Sequence, residues 1–97
     1  MRLAEDERTA IVETIHRIDT SAEIWLYGSR ADSQLRGGDI DLLVISPILT
    51  LTHKIDALVE IKLRIGDQRL DLRIIHPDQT TTDPLAQSIL PRAIRLG

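Results

Sequence analysis

The stretch Tyr27-Gly28-Ser29-Arg30-Ala31-Asp32-Ser33-Gln34-Leu35-Arg36-Gly37-Gly38-Asp39-Ile40-Asp41-Leu42 decides how this 97-residue chain is read. Ile24 to Tyr27 predicts a short strand ending at Gly28. Ser29 to about Leu35 predicts a short helix or turn, which Gly37-Gly38 breaks. Asp39 to Ser46 predicts a strong strand, stopped by Pro47. Side chains alternate faces along a strand, so Asp39 and Asp41 share one face while Ile40, Leu42 and Val44 share the other. Two carboxylates side by side at the start of a buried strand repel each other, which is costly without a cation between them. A hard divalent ion with oxygen ligands answers that cost, and Mg²⁺ suits two carboxylates plus phosphate oxygens.

Downstream, Arg69 to His76 predicts a third strand. Leu70, Leu72 and Ile74 form one face, and Asp71 stands on the other with Arg73. If this strand lies beside Asp39–Ser46, Asp71 joins the same cluster. Three convergent carboxylates hold two metal ions about 3.5–4 Å apart, the arrangement that clamps both oxygens of an in-line phosphoryl displacement. Asp71 is then also placed to draw the proton from an attacking hydroxyl. Upstream, a strand ending in Gly28 with Ser29 opening a helical turn presents backbone N–H groups and a hydroxyl to an anion. The β- and γ-phosphates of a nucleoside triphosphate would rest there, with Arg30 adding charge to the pocket.

The rest of the chain supplies helices. Residues 5–19 place Ile11, Val12, Ile15 and Ile18 on one stripe, and Glu5, Asp6 and Glu7 suit the positive end of the helix dipole. Thr52 to Ile65 reads as a second long helix, with Ile55, Leu58, Val59 and Leu63 inward and Gly66 as its stop. Asp83-Pro84 starts a last helix, with Asp as cap and Pro at the first helical position, and Pro91 limits it. The expected order is α-β-α-β-α-β-α. This is a small α/β domain, a three- to four-stranded mixed sheet with helices packed on one face, spanning residues 1–97 as one unit.

Composition bounds the function. The chain carries 14 Leu, 14 Ile, one Trp, one Tyr and no Phe, so its core is built from branched aliphatics. With no Cys there is no disulfide framework, thiolate zinc site or Cys nucleophile. No apolar run exceeds that of Leu42–Ile45, four residues, so no membrane span is expected. The acidic, polar N-terminus argues against a targeting peptide, and a cytoplasmic protein is the default expectation. A net charge of −3 argues against long tracking of a nucleic-acid backbone but leaves room for a nucleotide held through metal ions.

Gly28-Ser29, the nine intervening residues and then Asp39-Ile40-Asp41 resemble the signature of the polymerase-β-like nucleotidyltransferases, and the whole chain resembles a minimal nucleotidyltransferase (MNT). The resemblance implies that Asp39, Asp41 and Asp71 are the catalytic, metal-binding carboxylates for two Mg²⁺ ions. It implies that Gly28-Ser29 is the triphosphate-binding turn and that ATP is the substrate. Small members of this family are paired with a HEPN-domain toxin. The implied role is a type VII-like antitoxin that moves AMP from ATP to a Tyr hydroxyl of the toxin and releases pyrophosphate, forming a hetero-oligomer with it. The chain departs from the commonest form at Asp32-Ser33, where a basic residue and a Gly are frequent, and at Gly38, where Ser is frequent. These departures bear on nucleotide preference and loop shape.

Plainer roles stand beside these. Arg36 reads as a solvated loop charge and Arg73 as the ion-pair partner of Asp71. His16, His53 and His76 lack ligand spacing, and Trp25 and Tyr27 read as packing residues. Ile89, Leu90, Ile94 and Leu96 close the core or offer an apolar patch to a partner. Two functional alternatives remain. One is a non-catalytic antitoxin that neutralises its toxin by covering it. The other is an enzyme acting on a small hydroxylated molecule of the aminoglycoside type. Little chain is left for an acceptor pocket, which favours an acceptor delivered by another molecule.

Overall fold

The computed structural model describes residues 1–32 and 38–97. The expected end of the turn after Ser29, the Gly37 half of the Gly-Gly break, Arg36 and the Ser33 departure lie outside the described residues.

Helix α1 (Glu5–Ile18) begins with the acidic triplet and ends with His16 and Arg17, both favourable to the helix dipole. The backbone N–H of Ala4 donates to the Glu7 carboxylate at 2.9 Å, the one half of a capping box that an alanine cap allows. Strand β1 (Glu23–Tyr27) follows, then a 3₁₀ turn at Gly28–Arg30, where the sequence predicts a short helix or turn. Strand β2 (Ile40–Ile45) leads to α2 (Leu51–Ile65). Thr50 caps α2: its hydroxyl accepts from the His53 N–H at 3.3 Å, and His53 Nδ1 accepts from the Thr50 N–H at 3.1 Å. Strand β3 (Leu70–Ile75), the short α3 (Pro84–Ile89) and a 3₁₀ turn at Leu90–Arg92 come next. Asp83 caps α3, accepting from the Leu85 N–H at 2.9 Å. The last element is β4 (Ile94–Arg95).

The four strands form one mixed sheet in the order β3-β2-β1-β4. β2 pairs antiparallel with β1 and parallel with β3. The parallel pair needs a crossover, which α2 supplies. β4 pairs antiparallel with β1 through Trp25–Arg95 and Leu26–Ile94, so the C-terminal apolar residues are spent on closing the sheet edge, with Leu96 buried.

The two long helices cover one face. Ile11 and Ile15 of α1 and Ala57 and Ile61 of α2 pack on Ile24, Leu26, Ile40, Leu42, Val44 and Leu72. On the other face Leu43, Ile45 and Ile75 meet Ala86 and Ile89 of α3, with Trp25 and Tyr27 alongside. That second cover is short, and it leaves the beginning of β2 and β3 open on the face that carries Asp41 and Asp71. Among the described residues no helix is long and apolar enough to cross a membrane.

One expectation about α2 is corrected. Leu58 points inward, but Ile55 and Val59 are 54% and 56% exposed, and Leu63 is 81% exposed. Leu51, 71% exposed, continues the same row. The helix carries two apolar rows at helical spacing, 57-58-61-65 and 51-55-59-63, and periodicity alone does not choose between them. The tertiary packing does. Glu60 and Arg64 pair with Arg17 and Glu13 of α1, which turns the second row away from α1. Below α2 the sheet ends at β3, so nothing there covers that row.

Candidate active site

Asp41 and Asp71 face each other across the β2–β3 pair as register partners, Asp41 against Asp71. In-register residues on neighbouring strands point to the same side of a sheet, so the carboxylates are neighbours on the face α3 leaves open. Asp39 lies one residue before β2, on the sequence side where its side chain alternates with Ile40. It forms a long ion pair with Arg69, 3.8 Å. The three acids line one cavity of about 410 Å³ together with Lys62 and Arg69.

Burial pushes the Asp41 carboxyl up from its ordinary range, and the neighbouring charges of Asp71 and Asp39 push it further the same way. The cluster crowds like charges, with Lys62 and Arg69 as cations sharing its cavity. Its donor set is all carboxylate oxygen, which suits a hard divalent cation. Among the described residues no three acidic or histidine side chains come together closely enough to hold a metal ion, so the expected convergence of Asp39, Asp41 and Asp71 is reduced to a pair. The fit therefore rests on the Asp41–Asp71 pair, with Asp39 flanking it.

Gly28 closes the other side of the site. Its φ is +75°, a conformation that costs glycine little and other residues more. A Cβ at this position would stand 2.3 Å from Oδ2 of Asp41. The strand-ending glycine therefore lets the backbone of the turn approach Asp41 directly. Ser29 follows in the 3₁₀ turn, and both residues line a cavity of about 640 Å³. A 3₁₀ turn of three residues offers fewer converging N–H groups than the helix start expected from the sequence.

The Arg30 guanidinium is directed to the helix side. It donates to the carbonyls of Arg2 at 2.8 Å and Gly38 at 3.0 Å and to Gln68 at 3.0 Å, and Glu7 lies 3.9 Å away. It ties the turn to the start of α1 and to the loop before β3. Glu7 belongs to this strut: burial alone would raise its carboxyl, but bonds from Gln68 and Ala4, and the Arg30 charge, hold it below the ordinary value. Arg73 shares the face of Asp71 but pairs with Asp83 at 3.2 Å. The expected Asp71–Arg73 ion pair is corrected accordingly, because α3 brings a better-placed carboxylate to the guanidinium.

Tyr27 has more to do than packing. It lies opposite Asp41 in the β1–β2 register and lines both the 640 Å³ cavity and a second one of about 510 Å³ that also reaches Asp71. Burial raises its phenol above the ordinary value, and Asp71 and Asp41 add to the rise while Arg73 opposes it. The phenol therefore stays protonated beside two carboxylates. Its position directly before Gly28 is the sequence signal that could have found it. Lys54, Lys62, Ser88 and Arg92 also line these cavities. They come from elements distant in sequence, and no local motif marks them.

With this geometry in place, comparison with known families finds a match to the model described as "Nucleotidyltransferase domain" over residues 9–93. A search of curated protein sequences finds no match.

Proposed function

Starting from the fact that this chain belongs to the nucleotidyltransferase domain family, we propose that it transfers AMP from ATP to a tyrosine hydroxyl of a partner protein, a HEPN-domain toxin that it neutralises. The observation that carries this reading is the pairing of Asp41 with Asp71 beside Gly28. Nucleotidyl transfer needs charge neutralisation at the α-phosphate, a base for the incoming hydroxyl and a cradle for the leaving pyrophosphate, and the site has a candidate for each.

In this reading Asp39, Asp41 and Asp71 hold Mg²⁺, which when bound neutralises charge on the phosphates. The Gly28-Ser29 turn holds the β- and γ-phosphates through backbone N–H groups and the Ser29 hydroxyl. The acceptor oxygen attacks the α-phosphorus, and its proton passes to Asp71. The bond between the α-phosphorus and its bridging oxygen breaks, and pyrophosphate leaves with the electron pair. Arg30, through its bonds to Arg2, Gly38 and Gln68, keeps the turn in position.

Two features support a macromolecular acceptor. Asp71 sits on β3, an outer strand, so the carboxylates stand at a margin another molecule can approach. The exposed aliphatic row of α2 runs from Leu51, which shares a cavity with Asp71, to Leu63 and suits contact with a protein.

The test is to incubate the chain with the protein encoded beside it, α-labelled ATP and Mg²⁺. Label is expected on a tyrosine of the partner and is expected to vanish with Asp39→Asn/Asp41→Asn and with Asp71→Asn. Equal labelling by wild type and these variants refutes the assignment of the carboxylates. Loss of neutralisation by variants that still bind the partner separates catalysis from simple covering.

A further inference from the structure

We infer that Arg92 and Ser88 form the second wall of the triphosphate site, facing Ser29 across the 640 Å³ cavity, and that this wall makes the protein select nucleoside triphosphates over shorter phosphates. The inference rests on the nucleotidyl-transfer reading above and names residues that reading does not use.

The placement follows from strand pairing. β4 pairs with β1 through Trp25–Arg95 and Leu26–Ile94. The 3₁₀ turn Leu90–Arg92 leads into β4 and lies against β1. The glycine turn is flanked on its β2 side by Asp41, which abuts Gly28, and on its β4 side by a cavity that Arg92 also lines. The cavity on that side is lined by Gly28, Ser29, Asp32, Ser88, Ile89 and Arg92 among others, so Arg92 is its one cationic side chain and Asp32 its one acidic one among the described residues.

The wall is anchored. Ile89 is buried against Leu43, Ile45 and Ile75, and the Ala93 N–H donates to the Leu90 carbonyl at 3.3 Å to close the 3₁₀ turn. Ser88 and Arg92 therefore project from a short segment held at both ends, by the core on one side and by the β1–β4 ladder on the other.

Charge supplies the rest. Neighbouring arginines are already committed: Arg30 to backbone carbonyls and Gln68, Arg73 to Asp83, Arg69 to Asp39. Arg92 is exposed and, among the described residues, has neither an ion pair nor a hydrogen bond. Guanidinium forks match phosphate oxygens in pairs, and two hydroxyls nearby, Ser29 and Ser88, add neutral donors. A triphosphate whose α-phosphorus lies over the carboxylates would run along the turn, and its terminal phosphates would reach Arg92. A monophosphate placed at the same carboxylates would not.

The experiment is calorimetric titration of the full chain with ATP, AMP and inorganic tripolyphosphate in Mg²⁺ buffer. Arg92→Gln is expected to weaken ATP and tripolyphosphate by about tenfold or more, as loss of a charge-assisted phosphate contact does, and to leave AMP unchanged. Arg92→Lys should recover part of the loss, and Ser88→Ala should weaken ATP by about threefold. Equal affinity of wild type and Arg92→Gln for ATP and tripolyphosphate overturns the inference, and so does an equal loss for AMP. Failure of the wild type to bind ATP overturns the parent reading instead. Because Arg92 is exposed, an unchanged melting temperature confirms that the variant is folded.

Discussion

A Cβ placed on Gly28 would stand 2.3 Å from Oδ2 of Asp41, so a side chain on the turn and the carboxylate in its present position exclude one another. Gly28→Ala must either unwind the +75° φ or displace the Asp41 carboxylate. A non-glycine residue at positive φ costs about 1–2 kcal/mol before any clash. We expect Gly28→Ala to lower stability by at least that much in chemical denaturation and to abolish nucleotide transfer. An alanine variant with native stability and full activity contradicts the close contact.

Asp41 is held against two like charges. Its folded carboxyl is raised, by burial first and by Asp71 and Asp39 next, so its ionised form costs stability above its folded pKa, and that cost is absent below the ordinary aspartate range. In metal-free buffer near neutral pH, Asp41→Asn should therefore melt higher than wild type, and the difference should shrink as the pH is lowered through the carboxylate range. Added Mg²⁺ should stabilise wild type and have a smaller effect on the variant. Thermal melts across pH, with and without Mg²⁺, check both.

Asp83 shows the opposite sign. The Arg73 guanidinium and the N–H groups of α3 hold its carboxyl below the ordinary value. Its contribution is fully present above the unfolded aspartate value and is lost as the pH falls through the lower folded one. Asp83→Asn should thus reduce stability at neutral pH and converge with wild type in acid. A constant gap at all pH values would show that the hydrogen-bonded cap, not the charge, carries the effect.

The two apolar rows of α2 give a direct comparison. Ile61 is fully buried against the sheet, whereas Leu63 is 81% exposed. Ile61→Ala should cost about 2–5 kcal/mol, and Leu63→Ala should stay within about 0.5 kcal/mol in the isolated chain. Urea denaturation of both variants measures the difference. Similar losses for the two would mean that the row 51-55-59-63 is covered.

How much of this was legible beforehand depends on the range of the interaction. The α1 stripe, the alternation that sets Asp41 and Asp71 apart from their apolar neighbours, the Asp83-Pro84 helix start and the strand-ending glycine were all readable, because each is set by residues within a turn or two. The choice between the two rows of α2 was not. Both satisfy helical spacing, and only the position of α1 and the end of the sheet at β3 select one. Likewise Arg73 had two acids within reach in principle, and the docking of α3 assigned it to Asp83.

By itself the sequence determined which face of each strand the acidic side chains occupy, since strand alternation is a property of the backbone. The tertiary structure decided what the side chains meet: the parallel β2–β3 register that sets Asp41 beside Asp71, the 3₁₀ turn that puts Arg92 in one cavity with Gly28 and Ser29, and the partners that Arg30 takes on the helix side. These depend on contacts between residues far apart in the chain, whose mutual positions no local pattern encodes.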